Sequence, residues 1–354
     1  MTGPDSTLDL LTLSLLPDVG PRTVAELHAR APLRAVLSRP GDHGDLLGAE
    51  AREQLRSGDA GRRAEAELAR ASQTGVRIVG FGEDDYPELL RHIYDPPPVL
   101  YVHGLVQAEE GQRGVAVVGA RKATAAGCAL TRHLARELAA AGVLIVSGLA
   151  RGIDGEAHRG AIEGGGRTVA VLGSGLDRIY PPENARLAAQ VACSGAVVSE
   201  FSFGTGPHPG NFPRRNRVIA GWVRGVVVVE AAAKSGALVT ARCALDEGRE
   251  VMAVPGHPSQ PSAEGTNALL RDGAALVRGA ADVAAELGLV MPVTEAAAGG
   301  ADDLLAALRP DVPAGLDELQ ARSGRSAAEV LARLAELELE ARVRRLPGAL
   351  FVRR

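Results

Sequence analysis

Residues 143–154 read VLIVSGLARGID. The apolar run Val143–Val146 passes without a polar position into Ser147, Gly148, Ala150 and Gly152, and Ile153 and Asp154 follow. An unbroken apolar run of this length suits a strand buried on both faces, and small residues after it let the chain turn tightly into a helix. The order recurs at 169–177, VAVLGSGLD, and further apolar runs lie at Val115–Val118, Ala196–Ser199, Val226–Val229 and Val251–Val254. Helix-length stretches lie between them, at Ala129–Ala140, Ala185–Val191 and Leu238–Glu247. This alternation predicts an α/β domain over residues 76–290, a Rossmann-like parallel sheet with helices on both faces.

Outward from that core the pattern changes on both sides. Residues 1–75 read as a small helical domain. Leu8, Leu11, Leu15 and Leu16 have helical spacing, and Pro17-Asp18-Val19-Gly20-Pro21 breaks them from a second helix near Arg22. Pro21 suits a first helical position, where its missing N–H would lack a partner in any case. The corner is similar to a helix-hairpin-helix, whose amides grip a phosphate. With only Arg22 nearby, an ordinary helical corner is the preferred reading. Residues 291–303 are small, polar or glycine-bearing and predict a linker. Leu304–Leu308, Leu316–Ser323 and Ala327–Leu337 then read as helices, the last entered through Ser323-Gly324-Arg325 and capped by Ser326. Val343–Leu346 and Ala349–Val352 flank Pro347-Gly348 as a hairpin, which completes a winged-helix order over 304–354. Its expected recognition helix carries Glu329, Glu336, Glu338 and Glu340 beside only Arg325 and Arg333, so it suits a protein-binding or structural role better than phosphate contact.

The 354 residues carry a formal net charge of −4, which excludes a generally basic nucleic-acid binder and leaves room only for a local basic patch. No apolar run reaches the ~18 residues of a membrane span, and Cys128, Cys193 and Cys243 have neither disulfide nor metal-ligand spacing. A soluble cytoplasmic protein without metal or cofactor is expected. Of 39 basic residues only Lys122 and Lys234 are lysine, and both sit in glycine-bearing loops. A compact ammonium and a forked guanidinium are not interchangeable at a tight anionic site, so the two lysines draw attention there.

Ligands of open parallel sheets bind beyond the carboxyl ends of the strands. Here those ends carry Gly119-Ala120-Arg121-Lys122, Ser147-Gly148 with Arg151, Gly173-Ser174-Gly175, and Lys234-Ser235-Gly236 after Glu230. Small-residue loops that bring backbone amides close together, with helices starting just after them, predict a phosphate-binding pocket. The pattern is not the dinucleotide GxGxxG. Residues 200–222 indicate which kind of phosphate. Five of the ten aromatic residues, Tyr180, Phe201, Phe203, Phe212 and Trp222, lie between 180 and 222, and Arg214, Arg215 and Arg217 are interleaved with them. Aromatics among arginines suit stacked bases beside a tracked backbone. Trp222 reads better as core, and at least one of the three arginines is expected to pair with Glu200 or Glu230. Asp154 and His158 are spaced as an acid/base pair on a helix. No nucleophile, metal cluster or Walker lysine accompanies them, so an amide cap and a hydrogen-bonded helix residue are the preferred roles, and no enzyme is expected.

These segments together resemble the DprA/Smf family of DNA-processing proteins. The resemblance rests on Tyr86-Pro87 with Asp95–Tyr101, Val118–Arg121 with Thr124 and Gly127, Ser147–Asp154 with Ala157-His158, and Val171–Asp177 with Tyr180-Pro181. It continues through Phe212–Gly221, Val229–Ala231, Ser235–Ala241, Val254–Gly256 and Gly265–Asn267. It implies an extended Rossmann-like domain that binds single-stranded DNA, forms a homodimer and helps load a RecA-type recombinase in natural transformation and recombination. It also implies an N-terminal bundle like a sterile-alpha-motif domain and a C-terminal winged helix, through either of which duplex DNA could be held. By motif position Arg121, the Gly173-Ser174-Gly175 turn and Lys234 are the best DNA contacts, with a base stacked on Phe212 or Tyr180. The rival is a nucleotide phosphoribohydrolase on a related fold. Such enzymes show Pro-Gly-Gly-x-Gly-Thr where this chain has Glu230-Ala231-Ala232-Ala233-Lys234-Ser235-Gly236.

Overall fold

A computed structural model describes residues 6–291, 303–308, 312–324, 326–339, 342–346 and 348–353. The expected linker at 291–303, together with Arg325, Glu340 and Pro347, lies almost wholly outside them. The described chain forms two compact units, Met1–Met291 and Pro292–Arg354.

The first unit opens with α1 (Thr7–Ser14), α2 (Pro21–Arg30), α3 (Leu33–Ser38), α4 (Ala49–Arg56) and α5 (Asp59–Gln73). Ser6 starts α1 through a reciprocal cap with Asp9, and Pro21 stands in the first turn of α2, where its fixed φ fits and no amide is missed. Two strands not foreseen from the sequence follow, β1 (Val76–Gly80) and β2 (Val99–Gly104). The remaining order is β3 (Gly114–Val118), α6 (Ala125–Ala140), β4 (Leu144–Ser147), α7 (Ile153–Glu163), β5 (Thr168–Val171), α8 (Ala185–Ser194), β6 (Gly195–Ser199), α9 (Asn211–Gly221), β7 (Gly225–Val228), α10 (Gly236–Asp246), β8 (Glu250–Ala253), α11 (Glu264–Arg271), β9 (Ala275–Leu276) and α12 (Ala280–Glu286).

The sheet has nine strands in the order β1-β2-β6-β5-β4-β3-β7-β8-β9. From β3 to β6 the chain builds outward in one direction, then β7 returns to the other side of β3. Every pair from β6 to β9 is parallel, while β2 adds to β6, and β1 to β2, in antiparallel sense. The expected parallel sheet is therefore extended at one edge by an antiparallel pair. Successive residues of β3 face opposite layers. Val115 and Val117 pack under α6, α7 and α12, while Ala116 and Val118 join the layer that holds Trp222, Val218 and Ala241. Trp222 is fully buried, as its core reading required.

The five N-terminal helices share a hydrophobic core with the antiparallel edge. Leu11, Leu13, Leu27 and Ala64 pack in one cluster with Val76, Val99 and Tyr101. The Glu67 carboxylate accepts from both the Tyr101 hydroxyl (3.0 Å) and the Phe203 amide (2.7 Å). No described helix is long and apolar enough to cross a membrane.

The second unit has α13 (Asp303–Ala307), α14 (Leu316–Ser323), α15 (Ala327–Leu339) and a hairpin of β10 (Val343–Leu346) with β11 (Leu350–Arg353). Leu304, Leu319, Val330, Leu334 and Phe351 form its core. Ser326 accepts from the Glu329 amide at 3.4 Å while the Glu329 carboxylate takes the Ser326 amide at 2.9 Å, which starts α15 as the sequence predicts.

Candidate nucleic-acid interface

The chain reverses its direction of sheet building between β3 and β7, so their carboxyl ends part and leave a crevice. A cavity of about 260 Å³ lies there, lined by Gly119 and Arg121 after β3, Ala150 and Asp154 after β4, Phe212, Pro213 and Arg215 from the start of α9, and Ser235 and Gly236 before α10. A smaller one of about 30 Å³ adjoins it and shares Arg121, Ala150, Phe212 and Arg215. It adds Gly148, Arg151, Tyr180 and Pro181.

Phe212 is the plane around which the site is built. The Arg121 guanidinium lies over its ring at 5.2 Å and that of Arg215 at 6.0 Å, and Tyr180 leans against it with centroids 5.8 Å apart. Arg121 is exposed, and among the described residues no ion pair involves it or the exposed Lys122 and Lys234. A cation held against an aromatic face beside a cavity can meet a phosphate while the ring edge stays open to a base.

Helix starts decide where an anion fits. At α6 the place is taken, because Glu230 accepts from the amide of the N-cap Thr124 at 3.0 Å and from its hydroxyl. At α7 the first turn carries Asp154 and Glu156, and Asp154 also accepts from the preceding loop amides of Gly148 (3.2 Å) and Ala150 (3.4 Å). The first turns of α9 and α10 contain no acidic residue. The uncompensated positive ends of two helix dipoles thus flank the larger cavity.

Several residues expected at the phosphate have other work. Ser147 is buried and donates to the Val117 carbonyl at 2.7 Å. Gly148 is small for a different reason than amide exposure, since a Cβ there would stand 2.5 Å from the Arg215 guanidinium, which donates to the Gly148 carbonyl at 2.8 Å and also to that of Val171. Gly173 makes room for Phe212, whose Cδ1 would lie 2.9 Å from an added Cβ. Ser174 is buried and bonds the Arg178 carbonyl, and the Gly175 amide is used by the Thr205 carbonyl at 2.9 Å. Gly173 therefore supports Phe212, and Gly175 holds the 202–205 loop. Arg151 is exposed and paired with Glu183. Lys122 and Lys234 stand on the loops that enclose the larger cavity but do not line it.

The arginine cluster divides in the same way. Residues 211–217 are the first two turns of α9. Arg215 and Arg217 point inward from it. Arg217 bonds Glu200 at 2.5 Å and meets Asp95 at 3.1 Å, so it is removed from the DNA contacts, as one member of the cluster was expected to be. Arg215 is a buried post between β4 and β5, its pKa pushed down to about 10 by burial and held against that by Asp154, so it stays charged at neutral pH. Arg214 is the exposed one, over the Phe201 ring at 5.3 Å. Phe203 packs edge-on to Tyr101 at 5.3 Å under Arg70.

The acid/base reading of Asp154 and His158 gives way to the two structural roles. Burial drives the His158 imidazole down to about 3. The Thr168 hydroxyl donates to the Ile145 carbonyl, so it accepts from Nδ1–H of His158 at 2.7 Å. His158 lines neither cavity. Among the described residues no cluster of metal-ligating side chains occurs.

Comparison with known proteins bears on the same two units. The family model described as DNA recombination-mediator protein A matches residues 77–288, and that of the DprA winged helix domain matches 291–349. Protein Smf of Escherichia coli is 40% identical over 298 residues, 80% of this chain and 79% of that one. Protein Smf of Synechocystis is 45% identical over 211 residues, 59% of this chain, which spans about half (53%) of that relative. Among solved structures, DNA processing protein A of Streptococcus pneumoniae superposes with a TM-score of 0.67 at 34% identity, over 79% of this chain and 98% of that one. The Helicobacter pylori protein, described for its single-stranded DNA binding mode, superposes at 0.53 with 29% identity, over 60% of this chain and 95% of that one. With residues 77–288 and 291–349 matched in chain order and the Escherichia coli relative aligned over 80% of the chain, this chain belongs to the DNA recombination-mediator protein A family, DprA/Smf.

Proposed function

We propose that this protein binds single-stranded DNA across the carboxyl edge of its sheet and so prepares the strand for a RecA-type recombinase. The observation that carries the reading is the 260 Å³ cavity, where Arg121 lies against Phe212 between the two helix starts, α9 and α10, that no internal acid neutralises. A phosphate sits between Arg121 and the Ser235-Gly236 turn, Lys122 and Lys234 attract the neighbouring phosphates from the rim, and a base lies on Phe212 or Tyr180. The single-stranded DNA binding described for the Helicobacter pylori relative supports the same assignment. The protein acts in the cytoplasm as a homodimer, and two linked pockets raise the apparent affinity for one strand through local concentration.

No chemical step is assigned to the site. Asp154 caps amides, Glu230 caps α6, and His158 is buried and neutral, so each of these three candidate acid–base groups is engaged in holding the fold. Release of free base from AMP by the purified protein would overturn this part of the reading.

The test is substitution at the phosphate contacts. Arg121→Ala and Lys234→Ala each lower affinity for a single strand about tenfold at low salt and make the salt dependence shallower by ~0.7 in log–log slope, the loss of one phosphate contact. Binding and slope unchanged in both variants would place the strand elsewhere.

A further inference from the structure

The cavity between β3 and β7 holds more open donors than one backbone phosphate uses. Besides Arg121 and the start of α10, its lining includes Arg215 and Thr240, which are only 5% and 2% exposed. Nε and Nη1 of Arg215 are engaged by Asn216 and by the Gly148 and Val171 carbonyls. Its Nη2 and the Thr240 hydroxyl have no hydrogen-bond partner among the described residues, yet neither atom is sealed from solvent. For side chains so deeply set, the cavity they line is the outlet, and an unmet donor there marks a place for an acceptor. The Gly236 amide is a further open donor. Its neighbours are occupied, the Ser235 amide by the Ala232 carbonyl and the Ala237 amide by the Ser235 hydroxyl.

Charge agrees with this inventory. Arg121 and Arg215 face a single carboxylate of the lining, Asp154, whose Oδ2 is held by the Gly148 and Ala150 amides. The uncompensated starts of α9 and α10 add about half a positive charge each. The site is thus matched to close to two negative charges. A phosphodiester inside a strand carries one charge and two free oxygens. A phosphate monoester carries about 1.5 to 2 charges at neutral pH and three free oxygens. Size points the same way. About 260 Å³ is below the ~300–1,000 Å³ usual for whole small-ligand sites, room for the end of a strand and not for a nucleotide with neighbours on both sides.

We propose that this cavity takes a terminal phosphate monoester, the phosphorylated end of a single strand, in preference to a diester from the strand's interior. The inference rests on the single-strand reading above and makes the phosphate at Arg121 the strand's last one. Thr240 and Nη2 of Arg215 hold the additional oxygen and charge that only an end supplies, and Lys122 and Lys234 meet interior phosphates at the rim.

The experiment uses internally labelled oligonucleotides of equal length and sequence with hydroxyl ends, a 5′-phosphate or a 3′-phosphate, followed by fluorescence anisotropy at fixed salt and slightly alkaline pH. The full chain is expected to bind one phosphorylated end about tenfold tighter than hydroxyl ends, the worth of a charge-assisted hydrogen bond. Capping that phosphate as its methyl ester, a diester, is expected to remove most of the gain. Thr240→Val, which deletes the hydroxyl and keeps the shape, is expected to cut the preference to about threefold. Free dCMP is expected to displace the phosphorylated strand only at large excess. Equal binding of phosphate and hydroxyl ends, a methyl ester as tight as the monoester, or a preference unchanged in Thr240→Val would overturn the inference and leave the single-strand reading standing. Displacement by dCMP at equimolar concentration would assign the cavity to a free nucleotide and overturn the strand end as its occupant. Failure of every oligonucleotide to bind would overturn the single-strand reading and this inference with it.

Discussion

Arg214 and Arg215 are neighbours in the chain, yet one reaches solvent over Phe201 and the other is buried between two strand ends. Substitutions in this cluster should therefore separate its buried members, Arg215 and Arg217, from the exposed Arg214. Arg217→Ala leaves the buried Glu200 with only the more distant Arg214 at 3.8 Å and is expected to lower unfolding free energy by about 3 kcal/mol. Arg214→Ala is expected to stay within ~0.5 kcal/mol of wild type, and urea denaturation of both variants checks the pair. The sequence showed that at least one of the three arginines pairs internally but not which, because composition shows charge and not direction. Gly210, Pro213 and the run Pro207-His208-Pro209 hid the helical start of α9, and with it the 3.6-residue spacing that turns Arg215 and Arg217 inward. Phe212 was readable from its aromatic company, and it does sit in the crevice. His158 adds a pH dependence. Its folded pKa of about 3 lies below the unfolded ~6.5, so the unfolded chain takes up the extra proton and stability falls as pH drops from 6.5 toward 3. Between pH 7 and pH 5 this group alone should remove about 2 kcal/mol, and His158→Gln should flatten that part of a denaturation-versus-pH curve.

At the scale of elements, the strand ends were legible because runs buried on both faces have no polar position, and β3 through β8 fall within one or two residues of those runs. The strands β1 and β2 were not: Arg77 interrupts the first, and the second, although Val99–Val102 are buried on both faces, follows directly on Pro96-Pro97-Pro98. Which helix starts are open to an anion was legible only in part. Glu230 reaches Thr124 across 106 residues, a contact with no local pattern, whereas the cap made by Asp154 lies within six residues and was legible. Glu230→Ala uncovers the start of α6. It is expected to lower stability by about 1 kcal/mol, as the loss of a cap does, without weakening oligonucleotide binding, because the strand does not use that helix. Thermal melts with a parallel binding titration decide the matter. A large loss of affinity would mean that α6 belongs to the site.

The whole molecule divides at Met291, not at the end of the helical segment. Residues 1–75 read as a separate domain because their periodicity is purely helical. Their leucines in fact close against Val76, Val99 and Tyr101, which makes the helices a wall of the sheet domain. The winged-helix order was readable from helix lengths and the hairpin, and its acidic third helix argues against a main role in DNA contact. A chain ending at Met291 is accordingly expected to fold and to bind a single strand within about threefold of the full protein, a difference under ~0.7 kcal/mol. The most direct test of the account is fluorescence anisotropy of the full chain with single- and double-stranded oligonucleotides of equal length across a salt series. Tight binding that prefers the single strand and weakens steeply with salt is the predicted result. Equal or stronger binding of the duplex would contradict it and move the site away from the crevice between β3 and β7.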